Sequence, residues 1–262
     1  MICLAWNCRG LGSPGAENAL KGVIQIERPH FVFLSETKLK DKEWESTRRK
    51  VRLRDFICVD CEGEGRHRKG GLTMFWDNDV TLDFLSSSQN HMDFIVRLEG
   101  GRDWRLTGVY GFPEEERKAE TWNLLVILCR ESELPLVCMG DFNGILSHDE
   151  KVGGIPKHQR EIDGFRSAIG RCSLRDIHFE GFPFTWMNNR VEGENVHERL
   201  DRVLVSETLF DRYPCSIVEH LPQRLSDHLP IKLRVQEQVL VTQGRRRRRK
   251  GFRVEKEWLR ED

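Results

Sequence analysis

The sequence predicts an α/β protein: one domain in which two mixed β-sheets pack face to face with helices outside, a four-layer sandwich. Three observations carry this. Near the amino terminus a strand-like run, a helical stripe and a second strand-like run follow at the spacing of a crossover unit. Between Phe56 and Tyr110 the pattern changes to short strand-like runs separated by glycine and Asp-Asn turns. Along the whole chain, apolar runs end in polar clusters, the place where open α/β sheets carry their chemistry. With 262 residues, 38% hydrophobic and 32% charged, and a mean hydropathy of -0.55, there is enough chain for one large core.

Taken in order, Ile2 to Trp6 reads as a strand that delivers Asn7, Arg9, Gly10 and Gly12. Ala16, Leu20, Val23, Ile24 and Ile26 form a helical stripe closed by Pro29. Phe31 to Leu34 is a second buried strand ending in Ser35, Glu36, Thr37 and Lys38, and a charged helix follows over 41–50. The runs Phe56–Val59, Gly71–Trp76, Val80–Leu85, Asp93–Leu98 and Trp104–Tyr110 make an antiparallel meander, with Gly100 and Gly101 as a hairpin signal. Pro113 to Glu116 opens a helix whose first-turn acids suit its dipole, with Trp122, Leu125, Val126 and Cys129 as the buried stripe. Leu136 to Met139, an apolar run after Pro135, fits a strand covered on both faces, and it delivers Gly140, Asp141 and Asn143. A loop with Gly153, Gly154 and Pro156 leads to a helix near 159–170 that carries Ile162, Phe165 and Ile169 on one face. Phe184–Met187, Leu200–Val205, Ser216–Glu219 and Leu229–Val235 are the remaining strands. The domain therefore spans 1–236, and 237–262 reads as a basic, flexible linker or tail.

Charge is balanced overall but not locally. Lys+Arg and Asp+Glu are 42 each; nine and four of these lie in 245–262, which leaves 33 basic and 38 acidic residues in 1–244. An acidic body suits cation binding and argues against a tight grip on nucleic acid through net charge alone. Arg245 to Lys250 has the composition of a nuclear-localisation or nucleic-acid-binding patch on a solvated linker, and Arg66 to Lys69 is a weaker one. The eight cysteines are scattered; Cys3, Cys129 and Cys138 sit in apolar runs, and the lone Cys58–Cys61 pair lacks a second pair or His couple, so free thiols are expected. No basic segment precedes the first strand and no apolar run reaches membrane-span length. An intracellular, reducing and nuclear setting is expected.

The strand ends carry, in order, Trp6 and Asn7; Ser35, Glu36 and Thr37; Val109 and Tyr110; Gly140, Asp141, Phe142 and Asn143; Arg199, Leu200 and Asp201; and Ser226, Asp227 and His228. Together these resemble the blocks of the endonuclease/exonuclease/phosphatase superfamily, which includes abasic-site endonucleases, pancreatic-type deoxyribonuclease, sphingomyelinases and inositol-phosphate phosphatases. The resemblance covers residues 1 to about 235. Ala5–Gly12, Leu34–Lys38, Gly181–Trp186 and Glu198–Arg202 resemble in particular the endonuclease domain of plant LINE-type (non-LTR) retrotransposons. Phe252–Leu259 resembles the segment that joins that domain to reverse transcriptase. Nothing like a polymerase follows it, so a detached or truncated endonuclease unit is expected.

The resemblance implies a deoxyribonuclease-like sandwich and a Mg²⁺-dependent phosphodiester hydrolase that nicks DNA, with Mn²⁺ as an alternative ion, no membrane and no obligate protein partner. Such chemistry needs a cation, an oriented water and neutralisation of transition-state charge, and Mg²⁺ takes one or two carboxylates plus waters. It implies Glu36 as metal ligand, with Asn7 beside it and Asp227 on the metal side. Asp141 would orient or deprotonate the water, and Asn143 would hold that water or a phosphate oxygen. His228 would donate to the phosphate with its tautomer fixed by Asp201, and Tyr110 would supply a phenolic donor. Thr185 and Trp186 would line the substrate groove. Arg9 stands where many abasic-site members carry an acid; it removes a carboxylate and brings a cation to the phosphate path, which favours plain nicking over abasic-site repair.

Taken singly, each residue also fits an ordinary duty. Asn7 reads as a turn residue, Tyr110 and Trp186 as core aromatics, Asp201 and Arg202 as a surface ion pair, and Ser226 to His228 as a capping turn. Their joint order specifies a site. Two other functions compete: a phosphatase or phospholipase of the same superfamily, and a catalytically silent remnant that binds nucleic acid.

Overall fold

The computed structural model describes residues 1–236 apart from 101, 191–193, 223 and 224. Gly101 of the expected hairpin, the Arg245–Lys250 patch and Phe252–Leu259 lie outside the described residues.

The chain opens with β1 (Ile2–Asn7), α1 (Pro14–Glu27) and β2 (Phe31–Ser35). β1 and β2 are parallel, with Asn7 opposite Ser35. α1 begins where Ser13 accepts the Ala16 N–H and Pro14 occupies the first turn, which needs no amide donor. Ala16, Leu20, Val23 and Ile24 are buried, whereas Ile26, expected in the same stripe, is 66% exposed. Two residues beyond Ile24 is roughly 200° around a helix, the opposite face. α2 (Asp41–Val51) buries Trp44, Thr47 and Val51.

Next come β3 (Asp55–Val59), β4 (Leu72–Trp76), β5 (Thr81–Ser88), β6 (His91–Arg97) and β7 (Trp104–Tyr110). They do not form the single expected meander. β3 and β4 extend the sheet begun by β2, while β5, β6 and β7 start another. Burial explains the division: β4 is covered on both faces, as an interior strand must be, and β5 is mostly exposed, as an edge strand can be.

α3 (Lys118–Arg130) starts after a tight turn at Glu115–Arg117, so the acids expected in its first turn lie ahead of it. β8 (Leu136–Asp141), β9 (Lys151–Val152), α4 (Gln159–Arg171), β10 (Leu174–Asp176), β11 (Phe179–Glu180), β12 (Trp186–Met187) and β13 (His197–Glu198) follow. The chain then forms β14 (Asp201–Ser206), α5 (Glu207–Arg212), β15 (Ile217–His220) and β16 (Ile231–Arg234).

One sheet runs β11-β15-β16-β1-β2-β4-β3, the other β10-β14-β8-β7-β6-β5, and a small one β12-β13-β9. Ala5, Phe33, Met74, Met92, Leu106, Met139, Val203 and Ile231 fill the space between the large sheets. α1 and α2 cover the first sheet through Leu20, Val23 and Trp44. α3 and α4 cover the second, where the Trp122 and Phe165 rings stack at 4.2 Å. Four layers result, as the sequence predicts.

The sheets approach most tightly at Gly108 of β7, where an added Cβ would lie 2.2 Å from the Phe33 ring. Gly108→Ala is therefore expected to cost about 1–3 kcal/mol by overpacking. Thermal unfolding should show a Tm roughly 2–4 °C lower for each kcal/mol lost; an unchanged Tm would mean the sheets part freely.

Candidate active site

Strand direction gathers the polar strand ends on one rim. β1, β2, β7 and β8 all finish there, Asn7 beside Ser35 and Tyr110 beside Asp141. β14 and β16 run antiparallel to β8 and β1, so they begin at the same rim: Asp201 pairs with Asp141, and His228 precedes β16. Side chains more than two hundred residues apart thus come within hydrogen-bond range.

At the centre, the Asn7 Nδ2 donates to Glu36 Oε1 at 3.0 Å and to Asp141 Oδ2 at 2.9 Å, and lies 3.4 Å from His228 Nε2. The other ring nitrogen of His228, Nδ1, is 2.8 Å from Asp201 Oδ2, while Nε2 is 3.7 Å from Asp141 Oδ2. Tyr110 donates its phenol to Glu36 Oε1 at 3.2 Å. Asn143 donates its backbone N–H to Asp141 Oδ1 at 2.8 Å, and its amide to Gly111 O at 2.9 Å and Asp141 Oδ2 at 3.3 Å. Arg9, Glu36 and Asn143 all hold left-handed backbone, with φ of 51°, 51° and 52°. Three non-glycine residues in that region, each costing on the order of 1 kcal/mol, mark where local strain is held by the surrounding sheet.

Burial and charge set the protonation states. Burial pushes the Asp141 carboxyl above the usual carboxylate range, with Asp201 adding to the effect and His228 opposing it. Burial works against charge on His228, but the Asp201 and Asp141 carboxylates outweigh it and hold the ring protonated beyond the ordinary histidine range. Burial likewise opposes ionisation of Glu36, yet the Asn7 amide and the Arg9 guanidinium keep its carboxyl below its ordinary value. Burial, then Glu36, keep the Tyr110 phenol protonated. At neutral pH the rim therefore carries carboxylates beside one imidazolium, with amide and phenol donors between them.

Asp141, Asp201 and His228 are, among the described residues, the one set of three potential ligands with donor atoms within 4.8 Å. Within the set, His228 Nδ1 lies 2.8 Å from Asp201 Oδ2 and Nε2 lies 3.7 Å from Asp141 Oδ2, so the three groups form a hydrogen-bonded triad. Glu36 could also hold a cation. Its Oε1 takes three donors, whereas no hydrogen bond falls on Oε2 among the described residues, which leaves a hard anionic oxygen of the kind Mg²⁺ prefers.

The sequence model of the Endonuclease/Exonuclease/phosphatase family matches residues 4–228. The chain belongs to this family. Among solved structures, the endonuclease domain of TRAS1, a telomere-specific non-LTR retrotransposon, superposes with a TM-score of 0.65 at 14% identity, covering 90% of this chain and 99% of that one. The 3′-5′ exonuclease NExo from Neisseria meningitidis gives 0.64 at 19% identity, covering 90% and 100%. The AP endonuclease LMAP from Leishmania major gives 0.67 at 17% identity, covering 88% and 86%. At these identities the likeness is one of fold. Comparison with curated protein sequences found no match.

In this family member the sheets bring together Asn7, Glu36, Tyr110, Asp141, Asn143, Asp201 and His228. Asp227 lies beside them, its Oδ1 3.1 Å from Arg9 Nε and its Oδ2 accepting from Trp186 Nε1 at 3.0 Å. Thr185 departs from the groove-lining position expected. It is fully buried, and its hydroxyl accepts the Leu200 and Asp201 N–H groups at 2.9 Å each, bracing the start of β14. The short side chain inside a turn is consumed by backbone amides that would otherwise be orphaned.

Three contributors were given no part in the site by the sequence reading, although two of them, Trp6 and Ser226, lie in its strand-end clusters. The Ser226 hydroxyl donates to Asn7 O at 2.7 Å, and Trp6 Nε1 donates to His228 O at 3.1 Å, which ties the loop before β16 to β1. Lys118 is buried, with its ammonium donated to the Asn143 carbonyl and its pKa pushed down to about 8 by burial. A lysine opening an amphipathic helix gives no sequence signal of this, and the bracing parts of Trp6 and Ser226 depend on backbone carbonyls far away in the chain.

The triad makes a direct prediction. In the metal-free Asp201→Asn variant, burial is less opposed, so His228 should titrate roughly 1–3 pH units lower by NMR than in the parent. Because the folded pKa is raised, the parent gains stability from this contact below pH about 6.5 and loses it as pH rises through the elevated value. The variant should show a weaker dependence, since Asp141 still faces the ring; an unchanged His228 titration would show that Asp201 does not hold it.

Proposed function

We propose that this chain is a divalent-cation-dependent endonuclease that nicks DNA. The reading rests on one observation: Asp201, His228, Asn7, Glu36 and Asp141 converge at one rim, His228 paired with Asp201 and the Asn7 amide donating to both Glu36 and Asp141. Glu36 would hold Mg²⁺, or Mn²⁺ in its place, with Asn7 and Asp227 alongside. Such an ion supplies Lewis acidity at a phosphate or leaving oxygen. Asp141 takes the proton of the attacking water, and Asn143 fixes that water or a phosphate oxygen. His228, kept protonated and oriented by Asp201, donates to a non-bridging phosphate oxygen, and the Tyr110 phenol donates beside it. Trp186 offers an indole edge to base or sugar, and the Arg9 guanidinium lies on the phosphate path.

Two relatives support nucleic acid as the substrate: the TRAS1 domain is named as a retrotransposon endonuclease, and a NExo 3′ phosphatase structure holds a product DNA hairpin. The basic stretch at 245–250 would add the phosphate affinity that the acidic body lacks, and it fits a nuclear location. No helix among the described residues is long and apolar enough to cross a membrane.

Purified protein incubated with supercoiled plasmid and Mg²⁺ should yield the relaxed circle, and His228→Ala should abolish it. Preferential turnover of a soluble phosphate ester would instead indicate a phosphatase or phospholipase. Plasmid binding with no nicking would indicate a silent remnant.

A further inference from the structure

In the first sheet β1 lies between β16 and β2, so the residues just past its end can reach the loops of both neighbours. Arg9 does so. Its backbone is left-handed (φ 51°). Nη1 lies 3.3 Å from Glu36 Oε1, after β2, and Nε lies 3.1 Å from Asp227 Oδ1, before β16. The two carboxylates placed nearest the ion site are thus already bridged by a cation of the protein's own. The guanidinium is half exposed, with 48% of its side chain accessible, so it can leave without unpacking the core.

We propose that Arg9 is a resident counter-ion. It neutralises Glu36 and Asp227 in the metal-free protein, and a divalent ion must compete with its charge for the same carboxylates. This rests on the reading of Glu36 as the ion seat. A guanidinium has a planar fork matched to phosphate oxygens, so an arriving phosphodiester offers it another partner. Drawing Arg9 away lowers the positive charge at the seat, so phosphate binding and ion binding favour each other.

The test is Mn²⁺ binding followed by electron paramagnetic resonance, with no substrate, on the parent and on Arg9→Gln, Glu36→Gln and the double variant. Arg9→Gln should bind Mn²⁺ about tenfold more tightly, the scale expected for removing one partly screened charge a few ångströms away. Both variants carrying Glu36→Gln should lose that site. Thermal unfolding gives a second readout that does not depend on measuring affinity: in EDTA, Arg9→Gln should melt below the parent, and added Mn²⁺ should raise its Tm by more than it raises the parent's. Equal or weaker Mn²⁺ affinity in Arg9→Gln overturns the inference, as does Mn²⁺ binding indifferent to Glu36→Gln. Should Arg9→Gln bind Mn²⁺ more tightly while neither protein nicks plasmid, the counter-ion role stands and the nuclease reading falls.

Discussion

Asp141→Asn is expected to lower the single-turnover rate of plasmid nicking by roughly 10²–10⁴-fold, the range for removing a positioned general base. The substitution keeps the side chain's shape and removes its charge. The backbone beneath it is fixed on both sides, by β7 in parallel register and β14 in antiparallel register. Asp141 is 1% exposed and already surrounded by the Asn7 amide and the Asn143 N–H. Any loss therefore reports on the proton acceptor more than on a displaced strand, and an unchanged far-ultraviolet dichroism spectrum checks this. The parent should show a matching acid limb. Burial raises the Asp141 carboxyl, so the active carboxylate is lost as pH falls through a value above the usual carboxylate range, while Asp141→Asn should show no such limb. A variant within about threefold of the parent would remove Asp141 from the chemistry.

The largest loss of stability is expected from Arg202→Met, about 3–5 kcal/mol by urea denaturation, the scale for removing one partner from a buried ion network. Arg202 has no exposed side-chain surface. It donates to Glu150 Oε1 and Oε2 at 3.2 and 2.8 Å, to Asp176 Oδ2 at 2.9 Å, and to the carbonyls of Gly144 and Arg199. Arg199 shares the same two carboxylates. Two arginines balance two acids, so removing one leaves a buried net charge and unpaired carbonyls. The network joins the loop after β8, the end of β10 and the start of β14, the segments that position Asp141 and Asp201. A loss below about 1 kcal/mol would show that solvent already screens it.

Arg202 also illustrates what a linear sequence conceals. Beside Asp201 it resembles a surface ion pair, but neighbours in a strand point to opposite faces. Asp201 turns to His228, and Arg202 turns to Glu150 and Asp176, acids far away in the chain. Glu150 itself reads as an ordinary loop residue until Arg199 and Arg202 close over it. The legible part of the site was its anchoring at strand ends, because a long apolar run fixes where a strand stops and which residue emerges next. Glu36 and Asp141 stand at such strand ends, whereas His228 precedes β16 and was singled out by the family resemblance. The short strands β9, β10, β11 and β13 escaped because two or three residues cannot display an alternation, and of the expected Phe184–Met187 strand only Trp186–Met187 forms. The division of the β3–β7 region escaped because pairing partners, unlike periodicity, are not written locally. Lys118 and Thr185 escaped because their partners are backbone atoms of other segments, which carry no side-chain signature.

β16 lies beside β1, and the two ends of the domain are stitched together: the Val235 N–H donates to the Met1 carbonyl at 2.9 Å, and the Met1 amino group to Val235 O at 3.0 Å. A polypeptide emerging from the ribosome must therefore hold its first strand unpartnered on one side until nearly the whole domain has been translated. The same late arrival brings His228 to the rim. A nascent fragment therefore has neither the completed sheet nor the imidazole that the proposed chemistry needs.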